Sequence, residues 1–418
     1  MTEEKEKIGV RLRVFIPFAC GYFLSYLYRV VNSVIAPDLV ADIGVDPSEL
    51  GLLTSAYFIT FAASQLPLGV LLDRFGPRRI EAFLLLFAAI GAWVFARAET
   101  LAGLVAGRAL IGFGVSACLM AAFKAYVIWY PRRQLPLING YQMAAGGLGA
   151  LAATAPVEAA LAVTNWRGVF TALAALTLVI AALVYFVVPE RAAAGRELRF
   201  GEQIRGVKRV FSSPVFWRIA PWTTLSQATF LSIQGLWAGP WLRDVAGYDR
   251  QQVAGTLFLV AAAMVAGFIV LGTAAERLSR RGIAPMVVAA AGMAVFMGVL
   301  LLIILEIESA AMVLWGLFGF FGTSGILPYA VLSQSFPPQL SGRVNTAVNL
   351  LVFVTAFIAQ WGIGAVIELW PAAEGTGYAP AGYRAAFGVM LAAQGLMFLW
   401  YVAGRRPSEN LEKPGFRS

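Results

Sequence analysis

The chain has 418 residues, 59% of them hydrophobic and only 13% charged, whereas soluble domains carry roughly 45 to 50% apolar and about 25% charged residues. A soluble globule is excluded on that ground, because apolar runs of roughly 17 to 25 residues recur from end to end, each long enough to cross a hydrocarbon core of about 30 Å. The net charge of +9 would suggest nucleic acid in a soluble protein, but these cations sit in short loops between apolar runs, so the bilayer is the expected partner and nucleic acid is not.

In chain order the apolar runs predict spans near 14–36, 50–72, 80–98, 101–129, 137–160, 168–188, 219–242, 253–275, 284–305, 311–334, 345–369 and 385–403. The opening stretch MTEEKEKIGVRLRV carries charges of both signs with no cleavable small-residue site behind it, so the first run is expected to stay in the protein. Cys20 and Cys118 both fall inside apolar runs and are read as small hydrophobes, with no disulfide framework. The longest polar interval, 189–218, divides a first half, 1–188, from a second, 219–418. Internal similarity agrees with this division. PRRQLPLIN at 131–139 answers PPQLSGRVN at 337–345, WRGVF at 166–170 answers YRAAF at 383–387, and DRFGPRR at 73–79 answers ERLSRRG at 276–282. An offset near 206 residues predicts two parallel six-helix repeats related by an axis along the membrane normal.

Positive charge orients the chain. The segments 1–13, 73–79, 130–136, 189–218, 276–283, 335–344 and 404–418 hold 24 of the 32 Lys and Arg. The opposite loops hold five, namely Arg97, Arg167, Arg243, Arg250 and Arg384. The richer side, which carries both termini, is expected to be cytoplasmic. The remaining cations, Arg29, Arg108 and Lys124, fall inside spans.

The loop GVLLDRFGPRR at 69–79 places Gly69, Asp73, Arg74, Gly76 and Arg78 in the pattern of the cytoplasmic loop between spans two and three of the major facilitator superfamily, with Pro77 where that family often has a base. In span four, RALIGFG sets Arg108 before Gly112 and Gly114 as in that family's fourth helix. With twelve spans and the repeat, the chain resembles this superfamily over essentially its whole length. The resemblance implies an all-α membrane protein of two pseudo-symmetric six-helix bundles around a central cavity. It also implies a secondary active transporter of the bacterial inner membrane working by alternating access, with Gly69, Asp73, Arg74, Gly76, Arg78 and Arg108 in gating. It does not supply a substrate.

For the substrate, the residues themselves speak. An arginine in the middle of a span costs roughly 2.5 to 3.5 kcal/mol on insertion scales unless a partner or a water cavity receives it. Around Arg29 the polar residues Tyr22, Ser25, Tyr26, Asn32 and Ser33 recur at helical spacing, so one face of span one is expected to be wet. A guanidinium beside tyrosines suits a carboxylate or phosphate; the alternative is an arginine that staples helices by binding backbone carbonyls. Span seven carries a second stripe, Thr223, Gln227, Phe230, Gln234, Trp237 and Trp241, whose amides fit a polar ligand, unless it is packing with polar glue. Lys124, Asn345 and Asn349 complete the binding candidates, with Arg108 open between a gate and a helix clamp.

Mid-span carboxylates are not expected, since Glu158 and Glu368 stand near the poorly charged ends of their spans. A positive cavity favours a small organic anion such as a carboxylate, with a proton as possible co-substrate. Efflux of an amphiphilic drug by proton antiport is the alternative, weakened because MAAGGLGALAATAP at 143–156 lacks a glycine-proline-glycine run. An intramembrane enzyme lacks a histidine base, a receptor lacks residues for an appended domain, and no cofactor or metal is called for. A monomer is expected. The orientation makes a direct prediction: a cytoplasm-active reporter fused after Arg209 is active and one fused after Gly375 is silent, and the reverse pattern overturns the assignment.

Overall fold

The structure is a computed structural model that describes residues 2–131, 135–190, 200–337, 340–370 and 377–404. Within them the backbone is helical and no strand is present. This is the composition that a bilayer demands, because a helix satisfies its own backbone hydrogen bonds where no water can. The first half runs α1 (Thr2–Val30), α2 (Asn32–Ile43), α3 (Pro47–Phe75), α4 (Pro77–Arg97), α5 (Leu101–Gly114), α6 (Cys118–Trp129), α7 (Leu135–Ala152), α8 (Ala155–Leu161) and α9 (Trp166–Val187). A short α10 (Phe200–Phe211) falls in the expected 189–218 interval, of which 191–199 lies outside the described residues. The second half runs α11 (Pro214–Ser232), a π-helical turn Ile233–Trp237, α12 (Ala238–Asp244), α13 (Arg250–Ser279), α14 (Pro285–Ile304), α15 (Ala311–Gly322), a 3₁₀ turn Thr323–Ile326, α16 (Leu327–Gln334), α17 (Ser341–Ile367) and α18 (Pro380–Ala403).

These helices make the twelve expected crossings. Among the described residues, ten runs are long and apolar enough to span a membrane by length and composition. The other two crossings, α3 and the run from α11 to α12, lie inside the assembly: α3 packs between α5 and α17, and every residue from Ser226 to Leu242 is buried. A helix shielded from lipid need not be uniformly apolar.

The repeat seen in the sequence recurs in atomic detail. Asp46 and Asp249 each begin a crossing with a capping box, to Glu49 and Gln252 respectively. Gly44 and Gly247 stand before them with φ of 74° and 66°. Gly76 and Gly282, with φ of 81° and 84°, make the next turns, a region that side chains rarely enter. Asp42 accepts from Trp166 and pairs with Arg167 at the start of α9, while Asp244 accepts from Tyr383 of α18 and pairs with Arg243. The WRGVF and YRAAF segments thus tie the first crossing of each half to its last.

Crossings one, four, five, seven and ten are broken. The interruptions fall at Val31, at Val115–Ala117, at Ala153–Thr154, at the π turn and at the 3₁₀ turn. Pro37, Pro240 and Pro328 lie just beyond three of them, where each removes an N–H and crowds the carbonyl four residues back. Where a ladder stops, backbone groups and side chains are freed to face a cavity.

The halves are joined tightly at the face opposite the chain termini. A Cβ on Gly51 of α3 would come within 2.8 Å of the Gln360 carbonyl of α17, so the two helices meet there backbone to backbone. Trp361 Nε1 donates to Ser48 Oγ at 3.2 Å. Arg250, at the start of α13, grips Asp38 of α2 with Nη1 and Nη2 at 2.9 and 2.7 Å and donates from Nε to Glu158 of α8 at 2.6 Å. Because Arg250 is nearly half exposed, each pair contributes at most about 1 kcal/mol. Arg250→Ala should therefore loosen this seal modestly. In a background without Cys20 and Cys118, the buried Val34→Cys should react about five-fold faster with a membrane-impermeant maleimide applied from that face, and an unchanged rate would mean the three-way ion pair does not hold the seal.

Candidate functional site

Between the halves lies a cavity of about 930 Å³, near the upper end of the range typical of small-molecule sites. Its walls come from α1, α3, the break in crossing four and α6 beyond it, α7, α11, α13, crossing ten and α17. It runs from exposed Gly140 and Tyr141, on the face that bears the termini, down to Arg29 near the sealed end.

Arg29 is the only charged side chain among the described residues lining this space, and the lining holds no aspartate or glutamate. It is 7% exposed. Its guanidinium carbon lies 4.4 Å from the ring centre of Tyr26 and 5.4, 5.7 and 5.9 Å from those of Phe353, Phe61 and Tyr57. Such rings offset part of the burial cost, roughly 0.5 to 2 kcal/mol for a well-placed one. Among them only the Tyr57 hydroxyl reaches the guanidinium as an acceptor, which leaves most of its five N–H donors unserved, and Arg29 Nε is left without a hydrogen-bond partner. A planar anion would complete the group.

Of the other binding candidates, Tyr22, Tyr26, Gln227 and Asn349 line the same cavity. Tyr22 and Tyr26 meet edge to face with ring centres 5.2 Å apart. Gln227 Nε2 donates to the Gly322 carbonyl at 3.2 Å. Asn349 Oδ1 accepts from Tyr329 at 2.9 Å, which leaves the amide NH₂ as a donor. The structure places Asn32, Gln234, Trp237 and Lys124 off the lining. Asn32 donates to Thr54 at 3.0 Å, Gln234 to the Met264 sulfur at 3.6 Å, and Trp237 to the Gln360 carbonyl at 3.0 Å, all inside packed interfaces; Lys124 is half-buried on α6. Lining residues that sequence reading missed come from other crossings: Phe61 and Gln65 of α3, Ser116 at the break in crossing four, Tyr329, and Phe353 of α17.

Arg108 lies elsewhere. Fully buried, it donates from Nη1 to the Tyr28 carbonyl at 2.8 Å, beside the break in crossing one, with the Tyr57 ring 5.4 Å away. That is the carbonyl-binding arrangement considered at first for Arg29. In the loop after α3, Gly76 makes the turn, Arg74 lies over Phe75, Arg78 stacks on Tyr185 at 5.0 Å, and both Arg78 and Arg79 face Glu190 beyond α9. Gly69 is half-buried in α3. Asp73 falls in the same helix, with its side chain outside the described residues.

One reading needs correction. A buried carboxylate does exist: Glu81, on the first turns of α4, is 0% exposed. Position 81 stands at the edge of the predicted span, and only its packing against crossings one and four reveals its depth.

The chain matches the family described as Major Facilitator Superfamily across residues 18–360. It is similar to the probable sulfoacetate transporter SauU of Cupriavidus necator, with 26% identity over 290 residues that make up 66% of this chain and 67% of that protein. It is also similar to the hexuronate transporter of Escherichia coli K12, at 25% identity over 41% of this chain and 40% of that one. Among solved structures it is similar to a bacterial homolog of the human lysosomal transporter Spinster in an inward-facing and occupied conformation, with a TM-score of 0.76 at 16% identity over 95% of this chain and 97% of the other. At that identity the likeness is one of fold.

The geometry makes a prediction about Arg29. Arg29→Lys should weaken anion binding nearly as much as Arg29→Ala, by about ten- to a hundred-fold for the loss of a charge-assisted pair of bonds, because an ammonium lacks the planar fork. Both variants should purify monodisperse. Equilibrium binding of radiolabelled sulfoacetate and galacturonate checks this, and near-complete rescue by lysine would reduce Arg29 to a source of positive potential.

Proposed function

This chain belongs to the major facilitator superfamily, and from that premise we propose that it carries a small organic acid, as its anion, across the bacterial inner membrane by alternating access. One observation carries the reading: the central cavity has a single described charge, the guanidinium of Arg29, and no carboxylate to neutralise it. An anion stabilises charge that the membrane otherwise penalises, and its own carboxylate or sulfonate fits the donor fork. The names of the relatives agree in class, since sulfoacetate and hexuronates are both organic anions. None of these supports drug efflux.

On this reading Arg29 grips the acid group in front of the aromatic cage. Tyr22 and Tyr26 lie alongside. Gln227 and Asn349 meet the body of the substrate from the second half, so that a ligand bridging both walls draws the halves together. We take 1–188 and 219–418 as the bodies that rock and 189–218 as their connection. The turn holding Gly69, Asp73, Arg74, Gly76 and Arg78, tied through its arginines to Glu190, biases which face is open, with Arg108 clamping crossing one at its break. The cation-rich face is cytoplasmic, so the cavity as it stands opens to the cytoplasm. The working unit is a monomer, and the chain is a carrier rather than an enzyme.

The test is uptake into proteoliposomes from a panel of radiolabelled sulfoacetate, galacturonate, an uncharged hexose and a cationic dye. Saturable uptake of one of the two acids, abolished by Arg29→Ala, is expected. Transport of the dye or hexose with neither acid moving would overturn the proposal.

A further inference from the structure

Glu81 has no part in the cavity, yet it is the most exceptional group in the first half. Its carboxyl is fully buried, and apart from the weakly donating Cys118 thiol no hydrogen-bond partner reaches either oxygen. It projects from α4 against Gly21 of α1, where any side chain at position 21 would collide with the carboxyl oxygen. Measured along α1 from Arg11, whose carbonyl Tyr130 binds, Gly21 is about 15 Å deep. The group is therefore no surface acid folded over a helix end.

What faces it can be stated element by element. From α6 come the Cys118 thiol, which donates weakly to the carboxyl, and the Tyr126 ring. Tyr126 donates to Gln142 of α7 at 2.6 Å, and Gln142 donates to the Phe18 carbonyl of α1 at 3.1 Å. From α1 comes the bare backbone of Gly21, and Arg29 of the same helix reaches Cys118 electrostatically. The other helices packed on α4, namely α3, α5 and α9, bring no described charge to bear on it.

Next to Gly21 and Cys118 in the chain stand Tyr22 and Leu119, which line the cavity. Glu81 thus lies directly behind the wall made by crossings one and four. That wall is broken at Val31 and at Val115–Ala117, immediately before Cys118. A carboxylate so placed cannot stay ionised without water or a cation. It can hold a proton while the wall is closed and lose it when the wall opens.

We propose that Glu81 is the proton-carrying site of the transport cycle, loaded and emptied through movement of crossings one and four against α4. This rests on the anion reading above. The step is a simple protonation: a carboxylate oxygen takes a proton from water on one face, becomes a neutral carboxyl, and returns the proton to water on the other. The need for it is electrical. A monoanion entering a cell against an interior-negative potential is disfavoured by a factor of about 50 per 100 mV, and one accompanying proton cancels that charge. Arg29 holds the anion, and Glu81 holds the compensating proton on the far side of the same wall.

The experiment uses the full chain in proteoliposomes with radiolabelled galacturonate and sulfoacetate. With one proton per galacturonate, a monoanion, an inward gradient of one pH unit supports about ten-fold accumulation; sulfoacetate, a dianion, still carries one net charge with a single proton, so its accumulation is measured with the membrane potential clamped at zero. Glu81→Gln should lose that accumulation yet keep exchange of internal for external anion at close to the wild-type rate, because exchange needs no net proton movement. Glu81→Asp should recover part of the accumulation. Gradient-driven accumulation by Glu81→Gln equal to wild type would overturn the proposal. A substrate-free measurement runs beside it: infrared difference spectra between acid and alkaline pH should contain a carboxylic C=O band that Glu81→Gln removes, and an identical spectrum would also overturn the proposal. If wild type moves neither anion, the anion reading fails while the infrared result still decides whether Glu81 exchanges a proton. Should Glu81→Gln fail to purify as a monodisperse protein, Cys118→Ala leaves the acid in place and alters its polar neighbour. The pH at which that infrared band appears should then shift, and no shift would count against the proposal.

Discussion

A guanidinium in the membrane interior with aromatic rings around it and no carboxylate beside it is the constraint on which the rest of this structure turns. Four rings from α1, α3 and α17 approach Arg29, so both halves contribute to its surroundings. Rings temper the cost of the charge, but beyond the Tyr57 hydroxyl they leave its donors, Nε among them, in need of an acceptor. The cavity that reaches Arg29 is otherwise uncharged among the described residues. On the proposed function, an acid that enters supplies the missing acceptor and its departure exposes the cost again, which gives substrate a direct handle on the energy of the empty and filled states.

The broken crossings let so much polar chemistry gather in a helical bundle. Each break frees backbone groups in a medium where free groups are costly, and those in crossings one and four are answered locally. Ser33 donates to the Val30 carbonyl at 2.8 Å, Ser116 to the Phe113 carbonyl at 2.7 Å, and Arg108 to the Tyr28 carbonyl. Crossings that bend at such points can change shape by small rotations, whereas a continuous helix moves as a rod. The seal at the face opposite the termini, with its backbone contact at Gly51 and the fork of Arg250, is the complementary part. It brings the halves together at one end while the cavity stands open at the other.

Much of this was legible in the sequence, and the losses have a common cause. Twelve crossings and the repeat follow from composition and spacing, and the cost of burying a charge marks Arg29, Arg108 and Lys124 together, of which only Arg29 lines the cavity. The stripes failed only partway along. Tyr22, Ser25, Tyr26 and Arg29 lie in α1 and do line the cavity, but Asn32 comes after the break at Val31 and turns to Thr54. Gln227 and Phe230 line the cavity from α11, while Gln234 and Trp237 sit in the π turn, whose wider winding rotates them off the stripe. Helical spacing predicts a shared face only while the helix is continuous. Glu81 was missed for a different reason. Its place near a helix start looks superficial in one dimension, and its depth depends on how α4 lies against α1 and α6, which no local pattern encodes. Phe61 and Phe353 likewise join the cage only because α3 and α17 pack along their length.

The central claim is that the acid group of the substrate sits on Arg29. Solid-state NMR on the purified protein in lipid, with ¹³C in the carboxyl of bound galacturonate and ¹⁵N in the arginines, measures that contact directly. A bidentate pair puts the carboxyl carbon within about 4 Å of guanidinium nitrogens, and the dephasing it causes should vanish in Arg29→Lys while persisting in Arg108→Lys. Bound galacturonate that shows no arginine contact, or a contact unaffected by Arg29→Lys, would contradict it.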